Sequence, residues 1–431
     1  MRISYMFQEP DVKKFLLIIT ILLILDWYIF QLVRTAFQSR SISWQKVIKT
    51  IYWAISILVI GLLISFGIFR ESYANVSTQF RHWIATFFFG MFLTKIILLL
   101  FTLFDDFVRL VQWTIDLFAK FWQNPTNSHK NNISRSEFLA KTGVWVASAP
   151  TILMGYGIIS GAYNYQVIRR KIYLPNLPKS FHGLRIAQIS DIHSGSFFNK
   201  RAVEGGVEML LAEKPDVVFF TGDLVNNFAK EVEEYIPIFG KISPKVPYGV
   251  YSVLGNHDYG NYVFWSNAEA KRQNLKDLEA AHYHMGWKLL KDSHAYLEES
   301  NERIAIIGVQ NWGAKGHFPK YGNLFKAVKN IRDASVKLLL SHDPSHWDAQ
   351  VRPLFPDIDI TFSGHTHGMQ FGIEIGEFRW SPVKYIYPKW ADLYQENNQY
   401  LYVNRGFGFI GFPGRIGILP EITILELVAV A

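Results

Sequence analysis

Five short motifs in the second half of the sequence are built around Asp, Asn and His. They are Asp191-Ile192-His193, Gly222-Asp223, Gly255-Asn256-His257-Asp258, Ser341-His342-Asp343-Pro344 and Gly364-His365-Thr366-His367. Such mixed oxygen and nitrogen donors suit Mn, Fe or Zn better than a purely oxygen-liganded Ca or Mg site. Asp191 and His193 are two apart, as are His365 and His367, so in an extended segment each pair projects to one face. A glycine precedes Asp223, Asn256 and His365, where the backbone can turn tightly or pack closely. Two ions about 3.5–4 Å apart call for a bridging ligand, and the Asp223 carboxylate can bridge. One such motif alone is an ordinary loop. Five together are a candidate centre for metal-assisted hydrolysis.

Something must hold these residues in place. Each motif follows an apolar run that reads as a strand: 184–190, 217–220, 249–254, 336–340 and 358–363, with a further strand at 303–309. Helices are predicted over 200–214 and 267–285. Strands alternating with helices predict an α/β layered domain, and in open α/β sheets sites form beyond the carboxyl ends of strands.

The motif set, over roughly 185–421, resembles the calcineurin-like metallophosphoesterase superfamily. Its nearest likeness there is to bacterial membrane-anchored or exported phosphohydrolases, through Val403-Asn404-Arg405-Gly406-Phe407-Gly408 and Pro420-Glu421-Ile422. The resemblance implies a four-layer sandwich of two mixed sheets flanked by helices. It implies two divalent metal ions, one on Asp191, His193 and His367, the other on Asn256, His342 and His365, with Asp223 bridging. His257 would contact the phosphate or act as acid, oriented by Asp258. Arg405 and Arg415 lie in a Gly-rich region where they can approach a substrate or pair with Glu421; Arg405 is taken as the substrate contact. The other histidines, His282, His284 and His294 among them, read as surface or packing residues, with His317 and His346 the most plausible exceptions. The aromatic stretch 371–402, with Trp380, Tyr385, Tyr387, Trp390 and Tyr394, reads either as core and hairpin packing or as an apolar rim meeting membrane or lipid.

The first 180 of the 431 residues differ from the rest. They carry 19 Lys/Arg against 8 Asp/Glu, whereas the remainder carries 25 against 28. The basic excess thus flanks apolar segments, where lipid headgroups and topology explain it. The mildly acidic catalytic half argues against a nucleic-acid partner. The chain has no cysteine, which excludes thiolate nucleophiles, disulfides and Cys-ligated zinc. Four segments reach the roughly 20 apolar residues that a bilayer crossing needs: 15–33, 51–69, 83–104 and 138–160. Asp26 and Lys95 lie inside the first and third. Charges there are costly and usually paired, so they are expected either to pair with each other or to snorkel separately to water. Residues 105–122 form an amphipathic stretch, either an interfacial helix or an extension of the third span.

The expected domains are therefore 1–171, membrane-spanning, and 172–431, catalytic, joined by Arg169-Arg170-Lys171 and Pro175-Asn176-Leu177-Pro178. Positive charge is nearly balanced across the spans. Ser134-Arg135-Ser136-Glu137-Phe138-Leu139-Ala140-Lys141 resembles a twin-arginine export signal with Ser136 in place of the second arginine. It equally fits a helix start capped by Ser134 with Glu137 at the third position. The first reading puts the protein in a bacterial inner membrane with its catalytic half outside. The resulting expectation is a membrane-anchored phosphoesterase acting on a phosphate ester, with a lipid-linked or envelope substrate favoured by the tether. The alternatives are a nucleotide or nucleic-acid phosphodiesterase and a non-catalytic membrane sensor.

Overall fold

A computed structural model describes residues 12–68, 78–122, 135–316, 318–331, 333–376 and 378–430. The chain divides into two units, Met1–Gly155 and Tyr156–Ala431.

The first unit is helical: α1 (Val12–Ala36), α2 (Ile42–Ile68), α3 (Thr78–Trp122) and most of α4 (Arg135–Ile159). Four stretches are long and apolar enough to cross a bilayer: Ile19–Ala36, Ile42–Ser65, Trp83–Ile115 and Ser136–Tyr163. Residues 105–122 continue α3 without a break, so the extension reading of that stretch holds. Small residues bring helices together. Ala140, Gly143 and Ala147 lie on one stripe of α4, and a β-carbon at Gly143 would press on Phe101 and Leu32, as close packing between membrane helices requires. The ion pair is present: Lys95 Nζ lies 2.7 Å from Asp26 Oδ1 and 2.9 Å from Oδ2. Ser136 donates to Asp105 at 3.1 Å and accepts from Arg109 at 2.7 Å, so the residue that departs from the export pattern serves a helix–helix contact.

The second unit carries fourteen strands: β1 (Gln166–Leu174), β2 (Arg185–Ile189), β3 (Val217–Phe220), β4 (Val250–Ser252), β5 (Trp287–Leu289), β6 (Ser293–Glu299), β7 (Glu302–Gly308), β8 (Val336–Leu340), β9 (Ile360–Ser363), β10 (Ile373–Ile375), β11 (Phe378–Trp380), β12 (Asp392–Glu396), β13 (Gln399–Val403) and β14 (Glu421–Ala429). One sheet runs β1-β14-β2-β3-β4-β5 and a second runs β12-β13-β9-β8-β7-β6. Both are mixed: β2 through β5 run parallel and β14 antiparallel to β2, while β7, β8, β9 and β13 run parallel and β6 and β12 antiparallel to their neighbours.

The sheets pack face to face through Ile186, Val217 and Phe219 on one and Ile306, Leu338 and Phe362 on the other. Outside the first sheet lie α5 (Lys200–Ala212) and α6 (Ala268–His284), whose Val207, Leu210 and Leu278 join its outer core. Asn199 and Asn267 cap them by accepting from Ala202 and Ala270, which satisfies amides that a helix start leaves free. Trp347 and Val351 cover the second sheet. This is the expected four-layer sandwich. It explains why β3 is apolar at every position: both its faces are covered.

The region expected as a link is different. Arg169, Arg170 and Lys171 lie within β1, which pairs in parallel with β14 over its whole length. The strand crosses the expected boundary at 171. Its charges are those of a sheet edge: Arg170 pairs with Asp392 at 3.0 Å, Lys171 with Glu426 at 3.2 Å, and Arg169 with Glu213.

Candidate metal centre

All five motifs occupy turns beyond strand ends, and they converge. Asp191, His193 and His367 form one group of mutually close ligand atoms, and Asp223, His342 and His365 form another. The backbone is not extended there. Asp191, His193, Asp223, His365 and His367 have φ of 51°, 47°, 59°, 72° and 49°. The expected same-face projection of alternate residues is thus replaced by left-handed turns, which Asp and His tolerate better than most side chains and which concentrate at functional sites. Glycine before a ligand makes room. Gly222 has φ of 98°, and a β-carbon at Gly364 would collide with Ser190 and the Asp191 carboxylate.

Hydrogen bonds fix which ring nitrogens carry protons. His342 Nδ1 lies 2.7 Å from the Thr221 carbonyl, which can only accept. His365 Nε2 lies 3.0 Å from the Tyr387 hydroxyl, which itself donates to Asp343. In the neutral rings His342 Nε2 and His365 Nδ1 are then the lone-pair nitrogens, 3.3 Å apart. Asn256 donates its amide to Tyr262, so its Oδ1 faces the same point, 3.1 Å from His342 Nε2 and 2.8 Å from His365 Nδ1. Asp223 Oδ2 stands 3.2 Å from His342 Nε2. Two imidazole nitrogens, an amide oxygen and a carboxylate oxygen converge on one point, an arrangement that a cation satisfies. The donor set fits a divalent transition metal.

The second group shares Asp223, whose Oδ2 is 3.5 Å from His193 Nε2. His193 Nδ1 is held by Asn226 Oδ1 at 3.1 Å, and the buried Nε2 atoms of His193 and His367 have no hydrogen-bond partner. Asp191 Oδ1 is 3.3 Å from His367 Nε2. His367 departs from the pattern in one respect. Arg415, donor only, faces its Nδ1 at 3.2 Å, which places the ring proton on Nε2, so a metal there requires that contact to open.

Residues 184–369 match the family model described as calcineurin-like phosphoesterase, and residues 13–162 match one described as a probable calcineurin-like phosphoesterase transmembrane domain. The chain belongs to the calcineurin-like phosphoesterases. It is a membrane protein, on that match and its four spanning helices. A transmembrane protein with metallophosphoesterase domain from Danio rerio is 30% identical over 283 residues, 64% of this chain and 60% of that one, so the match spans less than two thirds of that relative. A metallophosphoesterase of Bacillus subtilis is 28% identical over 304 residues, 68% of this chain and 98% of its own length. The UDP-2,3-diacylglucosamine pyrophosphatase of Chlamydia trachomatis is 28% identical over 285 residues, 54% of this chain and 81% of that one.

Burial and the Asp223 charge set the electrostatics of this site. Burial alone would lower the His342 pKa, but the Asp223 carboxylate overrides it and pushes it up to about 10. Burial pushes His193 down to about 3 and lowers His365 and His367 as well. Burial lifts Asp191 to about 6. One imidazole thus takes a proton where the carboxylate charge is greatest, and the rest stay neutral as ligands must be.

Two expected roles change. Asp258 does not touch the His257 ring. Its carboxylate accepts the backbone N–H groups of Asp223, Leu224, Val225 and Gly255 at 2.8–3.3 Å, tying two ligand loops together. Burial and then the Asp223 charge raise it to about 7 against those bonds. His257 is oriented instead by the Asn226 carbonyl, 2.8 Å from Nδ1. Arg405 is 2% exposed, pairs with Glu421 and lies 2.9 Å from Glu374. It is absent from the walls of the cavity, of about 290 Å³, that His193, Asp223, Asn256, His257, His365 and His367 line. The alternative reading of the sequence, pairing with Glu421, is the one the structure shows. His346 is buried between Ser341 and Gln350; His317 lies outside the described residues.

Sequence reasoning missed Asn226, which holds both His193 and His257, and Tyr387, which holds His365. Asn226 follows Asp223 closely enough to be suspected from its motif. Tyr387 comes from the aromatic stretch and had no local signal. That stretch divides: Tyr387, Trp390 and Tyr402 are buried, whereas Phe371, Phe378 and Tyr385 are exposed.

Proposed function

We propose that this chain hydrolyses a phosphate ester through a dinuclear centre, with Asp191, His193 and His367 holding one ion, Asn256, His342 and His365 the other, and Asp223 shared. The observation that carries this reading is the set of acceptors meeting around Asp223 Oδ2, His342 Nε2, His365 Nδ1 and Asn256 Oδ1. Bound there, Mn, Fe or Zn supplies Lewis acidity at phosphorus and acidified water as nucleophile. The chain's residues do the rest. Thr221, Asn226 and Tyr387 hold the imidazoles in the ligating tautomer. With Nδ1–H spent on Asn226, His257 exchanges its other proton at Nε2, where it can meet a leaving oxygen.

A lipid-linked or envelope substrate is supported by the apolar part of the cavity lining, which includes Tyr262, Phe318, Met369 and Ile386. It is supported also by the diacylated substrate in the name of the Chlamydia relative. Full-length protein in detergent with Mn is expected to release phosphate from aryl phosphates or lipid pyrophosphates, and Asp223→Asn to lose about 10³-fold or more. Hydrolysis of neither, or full activity in the variant, would reject the reading.

The same proposal puts the domain outside the cytoplasm of a bacterial cell, supported by the export-like 134–141 segment. A cysteine introduced at Asn176 is then labelled in intact cells by an impermeant maleimide; protection until lysis reverses the orientation.

A further inference from the structure

The β10–β11 hairpin is amphipathic in the inverse sense. Its register places Ile373 opposite Trp380 and Ile375 opposite Phe378 on one face, with Glu374 opposite Arg379 on the other. The charged face turns to the domain: Glu374 pairs with Arg379 at 3.1 Å and with buried Arg405 at 2.9 Å, and Arg379 pairs with buried Asp392 at 2.5 Å. The apolar face turns outward, with Ile375 72% and Phe378 62% exposed. A hairpin at a water surface has the opposite polarity, and contiguous exposed apolar surface marks an interaction site.

What covers this face follows from its neighbours. Phe371, one residue before the hairpin's Gly372, bridges to Ile416, and Gly372 N–H bonds the Ile416 carbonyl at 2.9 Å. On its other side the 414–416 loop lies against residues 157–161. Arg415 N–H bonds the Gly157 carbonyl at 3.1 Å, and a β-carbon at Gly161 would collide with the Arg415 carbonyl. Residues 157–161 are the last turns of the Ser136–Tyr163 span, with Tyr156 and Ile159 exposed on the same turns. The apolar face is therefore joined laterally, through one loop, to the end of a membrane helix. At its other side, exposed Met369 and Ile386 are also walls of the metal cavity.

We propose that the outward face of this hairpin, with Phe371 and Ile386 beside it, is buried in the same bilayer that the Ser136–Tyr163 segment enters, so that the cavity opens at the lipid interface. Ile375 and Phe378 reach about 5–10 Å into the headgroup and acyl boundary, the depth of interfacial apolar faces. Trp380 sits at headgroup level, as interfacial tryptophans do. The surface is a property of the fold, independent of metal content and of the proposed hydrolysis.

The cysteine-free sequence makes this directly measurable. Single spin-labelled cysteines at Ile375 and Phe378 are compared, in full-length protein reconstituted in phosphatidylethanolamine–phosphatidylglycerol vesicles, with labels at exposed Tyr283 and Phe325. Collision with oxygen is expected to exceed collision with a water-soluble nickel chelate at least severalfold at 375 and 378, and the ratio to invert at 283 and 325. Three outcomes overturn the proposal: water-like accessibility at both hairpin positions; protection from both collision partners, which means protein covers the face; or dipolar broadening between labels, which means a second copy does. Either hairpin position alone is sufficient if the other variant fails to reconstitute.

Discussion

Charge is buried in both units, and the two cases end differently. In the helical unit Asp26 is answered by Lys95, an acid by a base, and nothing further is needed. In the sheet unit Asp191 and Asp223 face the imidazole nitrogens of His367, His193 and His342, and among the described residues no lysine or arginine pairs with either carboxylate. The first arrangement is closed by its own residues; the second, in the proposed reading, is completed by metal. Burial of charge is therefore no sign of function in itself. What distinguishes a site is that its neighbours cannot complete it.

That contrast is breakable in several ways. The largest effect is expected from metal. With Mn at a hundredfold excess over Kd, each site adds about 2.7 kcal/mol to stability, about 5 kcal/mol for two, and Asp223→Asn abolishes most of the thermal shift. A metal-independent midpoint would make the open site as closed as the ion pair. Next comes the pair itself. Asp26→Leu or Lys95→Leu alone strands a charge in the span at a cost of about 3 kcal/mol. The double variant is expected to recover most of the lost folded yield in membranes; without recovery, the pair is incidental. The smallest effect concerns His282, buried on α6 and bonded only to Ser252, where burial pushes the pKa from 6.5 down to about 3. The unfolded chain then binds a proton that the folded one refuses. This contribution is complete above pH 6.5 and is lost as pH falls from 6.5 toward 3, by about 1.4 kcal/mol per unit. His282→Gln is expected to flatten the pH dependence of the thermal midpoint over that window; identical slopes would show that water reaches the ring.

The candidate ligands were legible because each chemical type sits directly after an apolar strand. Their conformation was not: spacing by two reads as extended, whereas Asp191 and His193 turn left-handed to aim at a point that no local pattern reveals. Partners distant in sequence were equally hidden. Tyr387 reaches His365 from a separate turn. Charge concealed β1. Arg169, Arg170 and Lys171 read as a linker, yet an edge strand carries such residues without loss because one side of it remains in water. The α3 extension was undecidable from pattern alone, since an amphipathic stripe has the same period on an interface as at the end of a span.

The placement of β14 has a consequence for how the molecule is made. It lies between β1 and β2, its residues 421–429 paired with 166–174 on one side and with 185–188 on the other. A ribosome delivers β1 and β2 more than two hundred residues before the strand that must separate them. Until then, two sheet edges stand unsatisfied beside a freshly inserted helix, and Asp191 hangs at the end of one of them. Loop closure on that scale is slow, so the membrane segments are threaded long before the hydrolase half can close, and that half spends its synthesis as a chain that chaperones must tolerate rather than as a folding intermediate with a working pocket.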